Sequence, residues 1–196
     1  MSTYRPEFVA ALALLAQAFE EVVAAGYDRP IIVGGAAVEF YTGGAVASGD
    51  FDVLTAAQAE LEAALIRRGF RRLSEPGTLT RGLHHPDFGI GFEVVSGQLF
   101  DGAADRGRTR VVPIDTNAVR FPAVEDMIAD RMGQFAAPVR GDAEMLGQAI
   151  VLYRIARHNL EHPLDTQYLD QRIKHETAGS YDLRFLIEEA DEANNA

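Results

Sequence analysis

The chain of 196 residues contains no cysteine. Disulfides, thiolate zinc sites and cysteine nucleophiles are thereby excluded. No uninterrupted apolar run approaches the roughly 20 residues needed to cross a bilayer, so no membrane partner is expected. The segment Met1 to Glu7 lacks the basic start, apolar core and cleavage pattern of a secretory signal, and a cytoplasmic setting is the expectation. Positive charge is scarce: 18 Lys+Arg stand against 29 Asp+Glu, a formal net charge of −11. Long-range repulsion makes such a chain a poor non-specific binder of duplex DNA. Lys174 is the only lysine, and every other cationic side chain of that group is Arg. The planar fork of Arg suits phosphate oxygens, although a base composition favouring Arg and Ala codons is the simpler source of the bias.

What is present is an ordinary globular balance, with 47% hydrophobic and 24% charged residues. The length suits one domain of roughly 150 residues with an appendage, or one larger domain. Residues 6 to 25 read as a helix, opened by Pro6 and closed by Gly26, with Phe8, Leu12, Leu15, Phe19 and Val22 at helical spacing. Ile31-Ile32-Val33 is a short strand that runs into Gly34-Gly35, and Ala36 to Tyr41 a brief helix. A second strand is expected over Gly49 to Leu54 and a helix over Ala56 to Arg68. Short strands follow at Phe70 to Leu73 and Leu79 to Leu83, a clearer one at residues 88 to 95, and another at Arg110 to Ile114. Pro122 to Phe135 reads as a helix, with Glu125 and Asp126 near the positive end of its dipole. From Gly141 the pattern is helical: Asp142 to Leu160, Asp165 to Lys174 and Tyr181 to Glu189. The order predicts an α+β (α/β-like) core over residues 1–136 and a helical C-terminal region over 137–196, packed on it.

The chemistry concentrates in Val33-Gly34-Gly35, followed after 14 intervening residues by Asp50-Phe51-Asp52. On a strand, residues two apart share a face, so Asp50 and Asp52 project together while Phe51 and Val53 point to a core. Two adjacent carboxylates repel unless a cation or proton intervenes, and a hard cation such as Mg²⁺ suits oxygen ligands. Glycines at a strand end let backbone N–H groups approach an anion, and a helix starting at Ala36 favours negative charge at its N-terminus. A phosphate at the turn and a metal on the aspartates would together position a nucleoside triphosphate. A third carboxylate is expected from a neighbouring strand. Glu93 is the candidate, since it shares a strand face with Gly89 and Gly91, which leave space beside it; Asp87, Asp101 and Asp105 are rivals in loops.

The stretch Val33-Gly34-Gly35 … Ser48-Gly49-Asp50-Phe51-Asp52-Val53 resembles the nucleotidyltransferase superfamily that shares the polymerase β-type palm. Gly34-Gly35-Ala36-Ala37, Ser48 to Asp52 and Glu125-Asp126-Met127-Ile128-Ala129-Asp130-Arg131 are similar to small prokaryotic abortive-infection and toxin–antitoxin nucleotidyltransferases. The resemblance spans residues 30 to 135. It implies a short mixed β-sheet flanked by helices, Mg²⁺ (with Mn²⁺ able to substitute) and transfer of a nucleotidyl group from a triphosphate such as ATP. Asp50 and Asp52 would be metal ligands, and Glu93 a third ligand or the base for the incoming hydroxyl. Gly34 and Gly35 would shape the phosphate turn, Ser48 support it, and Arg131 contact phosphate. The acceptor would be tRNA, a protein hydroxyl or a small molecule. The chain departs from the family pattern in a slightly long spacer, in Val46 where Arg is frequent, and in Arg131 where Lys is expected.

Those departures motivate a reading of another class: a catalytically silent fold serving as antitoxin or regulatory partner of a cognate toxin or antitoxin protein, with acidic charge masking a basic surface. A metal-dependent phosphodiesterase using the same carboxylates is a weaker third. Of the remaining signals, His84-His85 is expected in an exposed loop. His158 and His162 have the i, i+4 spacing that can bind zinc on a helix, without an evident third ligand. The groups Arg67, Arg68, Arg71, Arg72 and Arg106, Arg108, Arg110 are either solvated or contacts for a triphosphate or an RNA backbone.

Overall fold

Pro6 opens the first helix, α1 (Pro6–Ala24), where its fixed φ and missing N–H cost little. The apolar positions at helical spacing, Phe8, Leu12, Leu15, Phe19 and Val22, are all buried. The structure, a computed structural model, describes residues 4–72, 82–95, 98–137 and 142–193. The chain divides into two units, one of Met1–Gln98 with Arg108–Pro122 and one of Leu99–Gly107 with Ala123–Ala196.

In the first unit α1 is followed by β1 (Ile31–Val33), α2 (Gly34–Tyr41), β2 (Asp50–Leu54), α3 (Gln58–Ile66), β3 (Arg71–Arg72), β4 (Leu83–His85), β5 (Ile90–Val95), β6 (Arg110–Ile114) and β7 (Asn117–Phe121). Five strands form one sheet in the order β1-β2-β5-β4-β3, and β6 with β7 forms a separate hairpin. β2 and β5 run parallel, while the other neighbours are antiparallel. The fold is therefore α+β with a short mixed sheet and flanking helices, as the resemblance implies.

Residues level on paired strands share a face, and the register separates two ranks. Phe51, Phe92, Leu83 and Arg72 stand level across β2, β5, β4 and β3; so do Asp50, Gly91, His84 and Arg71. The first rank is covered: Phe51, Phe92 and Leu83 are buried, Phe8 of α1 stacks on Phe51 with ring centroids 5.2 Å apart, and Arg72 pairs with Glu62 of α3. The second rank lies on the opposite face.

Three local expectations are corrected. α2 begins at Gly34, two residues early. His84 and His85 belong to strand β4 rather than to a loop; His85 is buried, stacked on Phe88 with centroids 4.2 Å apart and edge-on to Phe70. The strand β7 takes residues the sequence pattern left between a strand and a helix. Its turn uses Asp115 at φ 52°, its Val119 and Phe121 are buried, and its Ala118 N–H donates to Glu20 of α1 at 3.0 Å. Five residues carry too short a period to announce a strand without that tertiary partner. Residues 79–81 of the strand expected at Leu79 to Leu83 lie outside the described residues.

The second unit holds α4 (Val124–Ala136), α5 (Ala143–Ala156), α6 (Thr166–Glu176) and α7 (Leu183–Glu192). Asp142, Asp165 and Asp182 cap the last three, their carboxylates accepting from the N–H of Glu144, Tyr168 and Phe185. Met127, Ile128, Met132, Leu152, Leu169, Ile173 and Leu186 form the core. Within it the carboxylate of Asp126 is fully buried. It accepts from Arg172 Nε at 2.7 Å and the Tyr168 hydroxyl at 2.8 Å, and Arg172 also reaches Glu176 at 2.6 Å. Burial, with the hydrogen bond to Asp126, pushes the Tyr168 phenol above its ordinary value.

Candidate functional site

The site begins with the alternation of β2. Phe51 and Val53 are buried, while Asp50 is exposed and Asp52 half-buried on the other face. Parallel pairing sets Glu93 of β5 level with Asp52, and Gly91 level with Asp50. Asp50, Asp52 and Glu93 therefore share one face of two adjacent strands. On the other side of β2, Val33 stands level with Asp52, and the chain turns from there into α2.

The turn explains both glycines. Gly34 has φ +63°, a conformation that disfavours a side chain, and a Cβ there would collide with the Asp52 carboxylate. A Cβ on Gly35 would stand 2.6 Å from Ser48 Oγ. The space left by the missing side chains is thus filled by Asp52 and Ser48. Asp52 also lies at the N-terminal end of α2, where the helix dipole favours an anion.

Ser48 organises the start of β2. Its hydroxyl donates to the Asp50 carbonyl at 2.9 Å and accepts from the Asp50 N–H at 3.4 Å. Gly91 N–H donates to the Gly49 carbonyl at 3.2 Å, tying the same turn to β5. Behind it sits Glu39 of α2, fully buried. Its carboxylate accepts from the Ser48 N–H at 2.6 Å and from Arg5 Nε and Nη2 at 3.1 and 2.8 Å; Arg5 Nη2 also donates to the Ser48 carbonyl at 2.5 Å. The hydrogen bond to Glu39 raises the Arg5 guanidinium above its ordinary value. Sequence reasoning missed this clamp, although a lone charge among Ala36, Ala37, Val38 and Phe40 was its signal.

The donor set fits a hard cation in kind, being carboxylate oxygens aligned on one face. Asp50 and Glu93 hold no side-chain hydrogen bond or ion pair among the described residues. Yet among the described residues no three His, Asp or Glu side chains are gathered closely enough to hold a metal ion. The carboxylates are aligned rather than converged.

The other expected residues have surroundings of their own. Arg131 is buried in α4; its Nη1 donates to Gln134 at 3.1 Å and lies 3.5 Å from Met145 Sδ. Among the described residues its Nε and Nη2 have no hydrogen-bond partner, and the Asp130 carboxylate stands 3.8 Å from Nε. Desolvation pushes the Asp130 carboxyl up, against the pull of Arg131. His158 and His162 do not share a helix, because α5 ends at Ala156 and Asn159 Oδ1 instead accepts from the N–H of Glu161 and His162, both at 3.0 Å. In the arginine group, Arg67 and Arg68 pair with Glu21 and Arg72 with Glu62.

No family model and no curated protein sequence matches the chain. Solved structures do match. An antigenic nucleotidyltransferase-like protein from Paracoccidioides brasiliensis is similar over 94% of both chains, with 17% identity and a TM-score of 0.58. The antibiotic-resistance factor ANT(2'')-Ia, whose solution structure shows substrate-regulated conformational dynamics, is similar over 94% of this chain and 98% of its own, with 15% identity and a TM-score of 0.53. The match reaches across nearly the whole chain in both cases, so the chain has the nucleotidyltransferase fold.

Proposed function

We propose that the protein is a Mg²⁺-dependent nucleotidyltransferase, moving a nucleoside monophosphate from a triphosphate to a hydroxyl. The observation that carries this reading is the alignment of Asp50, Asp52 and Glu93 on one face of β2 and β5, on this fold. Asp50 and Asp52 would hold Mg²⁺ or Mn²⁺, with Glu93 as a third ligand or as the base. When bound, the cation neutralises phosphate charge and offsets the repulsion between the carboxylates. Glu93, exposed and without a counter-cation among the described residues, takes the proton of the acceptor hydroxyl. The acceptor oxygen attacks the α-phosphorus, the α–β phosphoanhydride bond breaks, and pyrophosphate leaves with the electron pair. Gly34 and Gly35 bring the N-terminus of α2 to this face, where it favours phosphate charge, and Ser48 fixes the entry to β2. For Arg131, what supports a phosphate role is its Nε–Nη2 edge, which carries no hydrogen bond among the described residues.

The acceptor is RNA such as tRNA, a protein or a small molecule, within a toxin–antitoxin or abortive-infection system of the cytoplasm. The test is incubation with α-labelled triphosphates, Mg²⁺ and total RNA or a partner protein. Label transfer by wild type that disappears in Asp50→Asn/Asp52→Asn supports the mechanism; transfer unchanged in that variant overturns it. The second reading, a catalytically inactive binding protein serving as antitoxin or regulator, is favoured by the lack of a converged metal cluster among the described residues. It expects no metal-dependent triphosphate binding by calorimetry and a tight complex with the neighbouring gene's product.

A further inference from the structure

We propose that His84 and Arg71 form a subsite for a phosphate group carried by the acceptor substrate, separated from Asp50 by Gly91. The inference rests on the nucleotidyl-transfer reading and narrows its acceptor class. The register places Arg71, His84, Gly91 and Asp50 level on β3, β4, β5 and β2. Level residues share a face, and neighbouring strands lie about 4.8 Å apart. His84 therefore stands roughly 10 Å from Asp50 along the sheet, and Arg71 roughly 14 Å. The residue between carries no side chain, and a Cβ at Gly91 would stand 3.2 Å from the Cβ of Asp50. At the level of Gly91 the face thus has an acidic end, a bare position and a cationic end, with Glu93 two residues further along β5.

Strand alternation is what frees Arg71. Arg72 falls on the covered face and pairs with Glu62, while Arg67 and Arg68 are both taken by Glu21. Arg71 is exposed, and neither it nor His84 holds a side-chain hydrogen bond or ion pair among the described residues. In a chain of net charge −11, a guanidinium and an imidazole beside each other, with no carboxylate bonded to either among the described residues, are suited to an oxyanion. The direction selects the acceptor rather than the triphosphate. The glycine turn and Ser48 lie on the β1 side of Asp50, whereas His84 and Arg71 lie on the far side of β5. Glu93, the proposed base, stands on β5 between them. An acceptor reaching Glu93 from that side would rest its phosphate on His84 and Arg71. A phosphodiester next to a terminal RNA hydroxyl and the phosphate of a sugar phosphate share this chemistry.

The experiment uses the full chain and two probes, a single-stranded RNA pentamer with a free 3′-hydroxyl and ribose 5-phosphate, with ribose as the uncharged control. Binding is followed by calorimetry and by the side-chain resonances of ¹⁵N-histidine-labelled protein. The expected result is that a phosphate probe, and not ribose, moves His84 while leaving His158, His162 and His175 in place. Arg71→Gln and His84→Gln each weaken that binding about tenfold or more, Arg72→Gln does not, and Mg-ATP affinity is unchanged in all three. RNA binding alone assigns the phosphodiester; equal or preferential binding of ribose 5-phosphate assigns the small phosphate ester. Failure of both probes to bind, or binding indifferent to Arg71 and His84, overturns the subsite. Parallel loss of Mg-ATP affinity also overturns it, since the pair would then serve the triphosphate. Absence of Mg-ATP binding in wild type would instead count against the transferase reading, and the phosphate-probe measurement is read independently of it.

Discussion

The two units treat their carboxylates in opposite ways. In the helical unit Asp126 is fully buried and matched by Arg172 and Tyr168. In the sheet unit Asp50 and Glu93 are exposed and no cationic side chain of the described residues neutralises them. Burying a charge demands a partner built into the fold, so the first arrangement is a feature of stability. Aligned carboxylates in water, held on rigid strands, tolerate repulsion only at a modest cost, and they remain available to a cation from outside. Acidity of sequence is common to both; what differs is the provision of a counter-charge.

The sharpest way to break the comparison is to neutralise each group in turn. Asp50→Asn/Glu93→Gln should lower nucleotidyl transfer by about a thousandfold or more while the thermal midpoint stays level or rises, since both side chains are exposed and hold no hydrogen bond or ion pair among the described residues. A large fall in midpoint would mean that these carboxylates are structural too. Asp126→Ala should do the reverse, costing about 3 kcal/mol by leaving the buried Arg172 with Glu176 alone and the Tyr168 hydroxyl without its acceptor. Asp126→Leu/Arg172→Leu should recover most of that loss in denaturant titration, as removing both charges lifts the desolvation cost. Gly34→Ala tests the seam where backbone and chemistry meet. With φ +63° and the Asp52 carboxylate in the way, it should cost about 1–3 kcal/mol, and nucleotide affinity should fall with it because Asp52 must move. The smallest effect is expected at the surface. Hydrogen bonds from Arg29 hold the Glu20 carboxyl below its ordinary value, and those from Arg67 and Arg68 do so for Glu21. A lowered folded-state pKa gives stability that is present above the unfolded value, about 4.3 for Glu, and is lost as pH falls through the folded value. Midpoints measured from pH 6 to pH 3 should fall with acid, and Glu20→Gln/Glu21→Gln should flatten the slope only slightly. Added salt should shrink the difference further.

Much of the site was legible because it obeys short-range rules. Alternation alone placed Asp50 and Asp52 together and Phe51 and Val53 inward, and the same rule put Glu93 on the face of Gly91. Helical spacing identified the buried stripe of α1. Asp-x-Asp after a Gly-Gly turn pointed to the fold that the solved structures share. These patterns survive because a strand repeats every two residues and a helix every 3.6, whatever lies around them.

The sequence could not say that β5 pairs in parallel beside β2, nor that the match sets Glu93 level with Asp52 rather than with Asp50. It could not say that His84 shares the sheet face of the carboxylates while His85 is buried against Phe70 and Phe88, or that Glu39 clamps Ser48 from within. Local composition assigned a residue its face; it did not assign that face its neighbours. Strand order and register arise from contacts between segments far apart in the chain, such as Arg5 with Glu39 and Glu20 with Ala118. The free energy of those contacts is a property of the assembled core, which no window along the sequence contains.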